Sequence, residues 1–564
     1  METVEAPATP VEAAGTLPAG ESVARSAGIL SLGNAASRVL GLVRQIVIAN
    51  FFGASGEVSA WRVAAAVPTM IYDLLIEGML SAALVPVFSE YLATRPREEL
   101  WRLASAVLSV AAVVLGAVVL LLEALAPQVA WLMGGGFPPE LLALTTRFIR
   151  LMLPAAIIFG LAGILVGLLY ACKVFTFPAI SGAVFNLGIV LAAPLLAHRL
   201  DIYSLCVGVL LGALFQLVAL LPGLRGIPLR FTLAWRHAGL RRIGALYAPI
   251  VASLAVSRAQ IVVDRNLASH TGEQSIAWMD NATTLFQFPH GLVAIAISLA
   301  VLPALSQHAA RRDEAGYQAT LLRGLRLVLA LSIPAAVGLF VLARPIIRLI
   351  YEHGAFTAFD TQWTSIALRC YLLGLVFASV DWPLNYAMYA RQNTLTPALV
   401  GIFSVGVYLV AAVAFAAPLG RLGLLVALTG LDPASLPPGR VRMLGLVLAD
   451  AAKHTGHAVA MWFLLRRQVG GLPARGLLGV TLKAGAAAAL MGGGIALALP
   501  VLEAQLGGWG TWGDLVLVGV CGAGGAACYL GLAALLGVEE MGLLRDALAS
   551  RLRRGQASHG NQRR

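Results

Sequence analysis

Long apolar runs, separated by short polar stretches rich in arginine, make up most of the 564-residue chain. Runs near the ~20 residues that cross a bilayer core fall at 27–51, 60–92, 103–126, 142–171, 176–197, 203–223, 244–264, 280–306, 325–350, 364–390, 396–417, 443–465, 478–502 and 513–537. The pattern predicts an all-α polytopic membrane protein with about 14 transmembrane helices.

The runs repeat. GEVSAW (56–61) is echoed by GEQSIAW (272–278), and LVPVFS (84–89) by VLPALS (301–306). YACKVFTFPAI (170–180) returns as YARQNTLTPAL (389–399), and Ser37–Arg38 as Ser257–Arg258, all in order at a shift of about 217 residues. Each copy holds six runs. An even number preserves orientation, so the copies are expected to be parallel six-helix lobes, with two further C-terminal helices outside the repeat. The organisation expected is a flexible tail over 1–25, a first lobe over 26–225, a second over 240–470, the added pair over 473–540 and a basic tail over 541–564. Two parallel lobes suit an alternating-access carrier, although a channel or a scaffold can share the architecture.

Composition supports placement in lipid: 59% of residues are hydrophobic and 12% charged, against about 25% charged in soluble domains. The net charge of +12 comes almost wholly from arginine. Those arginines sit in short loops, which reads as membrane topology and not as nucleic-acid binding. Arg95, Arg97, Arg102, Lys173, the five arginines of 225–242, Arg311, Arg312, Arg391, Arg466, Arg467, Arg475 and the tail arginines from Arg551 onward fall on one side. Arg199, Arg265, Arg421, Arg440 and Arg442 fall on the other, which places both termini in the cytoplasm. Residues 1–24 carry no pattern of a cleaved signal peptide. The five cysteines stand singly in apolar segments without metal-ligand spacing. No phosphate-binding loop, GxSxG, HExxH or EF-hand loop occurs, so the expectation is a transporter without cofactor or metal, not an enzyme.

Charge inside the runs is the candidate chemistry. Arg38 and Arg44 lie in the first run, Asp73 and Glu77 in the second. One charge at the centre of a spanning helix costs roughly 2.5–3.5 kcal/mol even on the lenient insertion scale, which makes each a functional candidate. Six residues separate the two arginines, about 120° around a helix. The guanidinium fork matches phosphate oxygens and stays charged when desolvated. Arg44 paired with Asp73 or Glu77, and Arg38 snorkelling, are the structural alternatives. Pro68, Pro86, Pro289 and Pro303 occupy corresponding runs of the two copies and are candidate hinges, or breaks that a buried helix tolerates. Asp450, Lys453, His454 and His457 share one helix face; they suit a coupling site or an internal ion pair. His290 stands alone beside Pro289, and Asp264–Arg265 reads as an interfacial pair.

SRVLGLVRQIVIANFFGA (37–54), VPTMIYDLLIEGMLSAALVPVFSEY (67–91), GAFTAFD (354–360) and YARQNTLTP (389–397) resemble the MurJ/MviN family of lipid II flippases, within the multidrug/oligosaccharidyl-lipid/polysaccharide exporter group. The resemblance implies two lobes around a cationic cavity and a groove near the last two helices for a polyprenyl tail. It implies transfer of undecaprenyl-diphosphate-linked peptidoglycan precursor, lipid II, to the outer leaflet of the bacterial cytoplasmic membrane. Arg38, Arg44 and Glu77 match family positions implied to bind substrate. Tyr72, Asp73 and Thr284 stand where the family carries arginines, and Arg62 or Arg258 would compensate. Export of a related polyprenyl-diphosphate glycan or another amphiphile fits that departure. A transport-inactive scaffold for cell-wall synthesis proteins is the reading from a different class.

Overall fold

A computed structural model describes residues 19–74, 80, 83–416, 438–472 and 474–540. Every predicted run overlaps a described helix, and no strand occurs among the described residues. Ten described segments are long and apolar enough to cross a membrane, the last of which, Gly476–Leu535, contains two helices.

The first two helices show how local chemistry sets the boundaries. α1 (Ala19–Phe52) ends where Gly53 turns to φ +64°, and α2 (Gly56–Asp73) starts behind Ser55, whose hydroxyl accepts the Val58 N–H at 3.2 Å. A Cβ on Gly53 would lie 2.5 Å from the Ala355 carbonyl oxygen, so both the turn and the close approach require glycine. The chain continues through α3 (Val85–Thr94), α4 (Arg97–Ala124), α5 (Ala126–Gly134), α6 (Pro139–Met152), α7 (Pro154–Ala171), α8 (Thr176–Leu200), α9 (Tyr203–Leu220) and α10 (Ala238–Ser269). It then forms α11 (Ser275–Pro289), α12 (Ala296–Ala310), α13 (Glu314–Val341), α14 (Ala343–Tyr351), α15 (Ala358–Ala390), α16 (Leu395–Ala416), α17 (Pro438–Gln468), α18 (Ala474–Leu506) and α19 (Gly510–Leu535).

The internal repeat is visible in the elements themselves. α13 begins and ends 217 residues after α4, and the nine-residue α14 lies 217 residues after the nine-residue α5. Helix breaks recur as well: His290–Ile295 is π-helical between α11 and α12, and Leu74, Leu80, Ala83 and Leu84 are π-helical between α2 and α3. The run predicted at 325–350 is divided at Leu342, and the one at 142–171 at Leu153, where Pro154 takes the first position of α7. Proline suits that position because its missing N–H has no partner to lose there.

The chain forms two compact units. Unit 1 comprises residues 1–277 with 353–356, and unit 2 comprises 278–352 with 357–564. α10 belongs to the second sequence copy yet packs in unit 1, where the Tyr247 hydroxyl donates to the Leu74 carbonyl at 2.7 Å and Ser269 accepts the Gly136 N–H at 2.9 Å. His237 caps it, accepting the Gly239 N–H at Nδ1, and burial pushes that imidazole below its ordinary pKa. The GEVSAW and GEQSIAW copies meet in the same unit, where Ser59 Oγ accepts the Ala277 N–H at 3.2 Å. Asn50 accepts the Ala355 N–H at 2.8 Å, which ties the start of the GAFTAFD segment to the end of α1.

α8 and α9 approach through glycines. A Cβ on Gly188 would fall 2.2 Å from the Gly212 nitrogen, and one on Gly212 would fall 2.4 Å from the Phe185 carbonyl oxygen. Small residues let helix backbones touch in lipid, where apolar burial gives no net drive to association. Gly212→Val is therefore expected to cost about 3 kcal/mol or more through overpacking. Thermal unfolding of the purified variant checks this; an unchanged midpoint would show that the helices separate freely.

Candidate functional site

Both units carry polar and charged side chains inside helices that are otherwise apolar. In unit 1 they form two groups spaced eleven residues apart on α2: Arg62 with Gln45 of α1, and Tyr72 and Asp73 with Gln216 of α9 and Arg258 of α10. Arg62, nearly two turns into α2, is only 7% exposed and donates from Nη2 to Gln45 Oε1 of α1 at 3.1 Å. Asp73, at the end of α2, accepts from Arg258 Nη1 of α10 at 3.0 Å, with side-chain exposures of 27% and 14%. Beside it the Tyr72 hydroxyl accepts from Gln216 of α9 at 3.2 Å, and its ring rests on Phe159. Asp73 thus has its charge balanced by Arg258.

Arg44 is partly buried on α1, seven residues after Ser37 and so on nearly the same helix face. That face lies against α8, where Asn186 donates to the Ser37 carbonyl at 3.3 Å. Arg38 is exposed. Glu77 lies outside the described residues. The Thr284 hydroxyl donates within its own helix to the Asp280 carbonyl at 2.9 Å. Pro68 is buried in α2, whereas Pro86 and Pro303 are exposed and Pro289 closes α11 immediately before the π-helical stretch.

In unit 2 the residues of α17 singled out by sequence do gather. Lys453 Nζ lies 2.5 Å from Asp450 Oδ1. The organising group, however, is Asp381 of α15, 8% exposed. His457 Nδ1 lies 3.0 Å from Asp381 Oδ1, and His454 Nδ1 lies 3.6 Å from Asp381 Oδ2. Trp382, its neighbour, donates to His290 Nε2 at 2.7 Å, so His290 has a partner inside this unit. Sequence reasoning passed over Asp381 and Gln216. The rule that flagged Asp73, an ionisable group within an apolar run, applies equally to Asp381.

Unit 2 also carries an apolar groove of about 420 Å³ along α13, α14, α18 and α19, lined by Leu331, Pro334, Leu342, Met491, Ile495 and Tyr529. No group of three or more His, Cys, Asp or Glu side chains capable of holding a metal occurs among the described residues.

A repeated array of spanning helices that keeps ion pairs and imidazoles inside apolar segments, with helix breaks at matching places, defines a polytopic membrane transporter. A sequence profile for the lipid II flippase MurJ matches residues 48–436. The chain is 31% identical over 552 residues to a probable lipid II flippase MurJ of Vibrio cholerae, covering 91% of this chain and 96% of that one. It is 30% identical over 379 residues to the lipid II flippase MurJ of Burkholderia cenocepacia, covering 65% of this chain and 73% of the relative. A solved structure of a lipid II flippase MurJ, in an inward closed conformation, superimposes with a TM-score of 0.72 at 25% identity, covering 90% of this chain and 99% of the other. An inward-facing multidrug resistance MATE family transporter shares the fold, with a TM-score of 0.62 at 13% identity over 77% of this chain. The chain belongs to the lipid II flippase MurJ family.

Proposed function

We propose that the protein moves lipid II, or a closely related polyprenyl-diphosphate glycan, from the cytoplasmic to the outer leaflet of the bacterial cytoplasmic membrane by alternating access. The observation that carries this reading is the family match across residues 48–436. Arg62, Arg44 and Arg38 would meet the diphosphate, whose oxygens accept the paired N–H groups of guanidinium. Both termini lie in the cytoplasm under this reading, as the arginine-rich loops suggest. The π-helical stretches beside Pro68, Pro86, Pro289 and Pro303 would act as the joints.

The groove along α13, α18 and α19 has the apolar lining that a polyprenyl tail requires. Gly522 lines it, and a Cβ there would meet nothing within 4 Å. Gly522→Trp is expected to leave folding intact but to slow transport of a long-chain lipid more than that of a short-chain analogue. Equal rates for the two lipids would remove the tail from this groove.

Tyr72, Asp73 and Thr284 in place of basic residues favour a second reading, a divergent member that exports another polyprenyl-linked glycan. Rescue of cells depleted of their own lipid II flippase separates the two. Growth restored by the wild-type chain supports lipid II; lysis despite membrane expression favours the second substrate.

A further inference from the structure

His454 of α17 faces a carboxylate with each of its ring nitrogens. Nδ1 lies 3.6 Å from Asp381 Oδ2 on α15, and Nε2 lies 3.7 Å from Asp450 Oδ2 on its own helix. A neutral imidazole has one N–H and one lone pair, so one of these two faces sets a lone pair against an acceptor. An imidazolium has two N–H groups and satisfies both.

His454 also connects to the helix break. Its ring stacks on Phe286 of α11 at 6.4 Å and 28°, and Phe286 stacks in turn on His290 at 5.7 Å and 22°. His290 opens the π-helical stretch and accepts from Trp382, the residue after Asp381. A closed circuit therefore runs from Asp381 through His454, Phe286, His290 and Trp382 back to α15. From this geometry we propose that His454, bridging Asp381 and Asp450, is a proton-binding site whose occupancy sets the geometry of the π-helical joint at His290–Ile295. This deepens the transporter reading and rests on it only for the consequence in transport.

The groups around the site are specified. On α17, Lys453 holds the other oxygen of Asp450 and His457 holds the other oxygen of Asp381. α15 adds Tyr371 beside Phe286, and the π-helical stretch adds His290, which uses Nε2 as an acceptor. α16 contributes no charged side chain and a single ionisable one, the buried Tyr408; α11 contributes Asp280, six residues before Phe286. With both α17 imidazoles neutral, two carboxylates face one ammonium. One proton on His454, taken from water and returned to it, makes the cluster neutral. Burying a balanced cluster costs less than burying one with net charge. Protonation would shorten both contacts toward the ~2.7–2.9 Å of a charge-assisted hydrogen bond, drawing α17 onto α15 and strengthening the stacking on Phe286 as a cation–π contact.

The test is hydrogen–deuterium exchange of the full-length protein in nanodiscs at about pH 5.5 and about pH 8, the window in which histidine changes charge, corrected for intrinsic rates. Amides of 290–295 are expected to exchange about 5-fold or more slowly at the acid pH, the lower range of a coupling between sites. His454→Gln should abolish that dependence. Phe286→Leu, which leaves the imidazole in place, should abolish it too and covers the case in which His454→Gln fails to fold. Exchange that is independent of pH in the wild type, or equally dependent in both variants, would overturn the proposal. Vesicle transport of labelled lipid II under an imposed pH gradient separates this from the substrate reading. Without lipid II transport but with pH-dependent exchange, the substrate assignment falls and the proton site stands.

Discussion

Arg62→Ala is expected to remove most lipid II transport while leaving the protein folded and in the membrane. Arg62 is buried, charged and partnered by the amide of Gln45 across α1 and α2. Keeping such a cation inside a spanning helix costs roughly 2.5–3.5 kcal/mol, which offsets part of the hydrogen bonding lost when it is removed. A hydrogen bond to a charged group contributes about 1.5–3 kcal/mol, which corresponds to a loss of roughly 10- to 100-fold in apparent affinity for a diphosphate lipid. Arg62→Lys keeps the charge but not the fork, and should recover only part of the loss. Lipid binding to the purified variants, compared with their unfolding temperatures, checks this. Unchanged binding with lowered stability would reassign Arg62 to packing.

The second large effect concerns Asp73 and Arg258. Asp73→Asn leaves a guanidinium facing a neutral amide in a site that is largely shielded. Breaking a fully buried pair costs about 3–5 kcal/mol; the partial exposure of Asp73 puts this one nearer the lower figure. Asp73→Asn with Arg258→Gln should recover much of the stability, and a double-mutant cycle gives the coupling. Function should respond in the opposite sense. Asp73→Asn releases Arg258 from its carboxylate, so diphosphate binding is expected to tighten if Arg258 reaches the substrate. Weaker binding in Asp73→Asn than in the double variant would place Arg258 in a structural role.

Much of this was legible in the sequence, for identifiable reasons. Apolar run length located the spans because a bilayer core fixes the length of helix needed. The first turn is set by Gly53 at a positive φ and by Ser55 as the N-cap of α2, positions that favour particular residue types. The repeat was readable from four short echoes, and the paired helices α4 and α13 confirm it 217 residues apart. The π-helical stretches were not legible: apolar residues of the same type fill α- and π-helical turns, and the prolines marked only the neighbourhood. The α17 cluster was visible as a helix face, but Asp381 joins it from 76 residues away, through tertiary packing that periodicity does not encode. Likewise, Asp73 looked like a charge of the wrong sign until α10 supplied Arg258, 185 residues further along.

Lipid II placed in the inner leaflet of proteoliposomes that hold the purified protein, with its appearance in the outer leaflet followed over time, bears most directly on the whole account. Transfer that needs the wild-type protein and falls sharply in Arg62→Ala is the predicted result. A rate no faster than in protein-free vesicles, from protein shown to be folded, would contradict it.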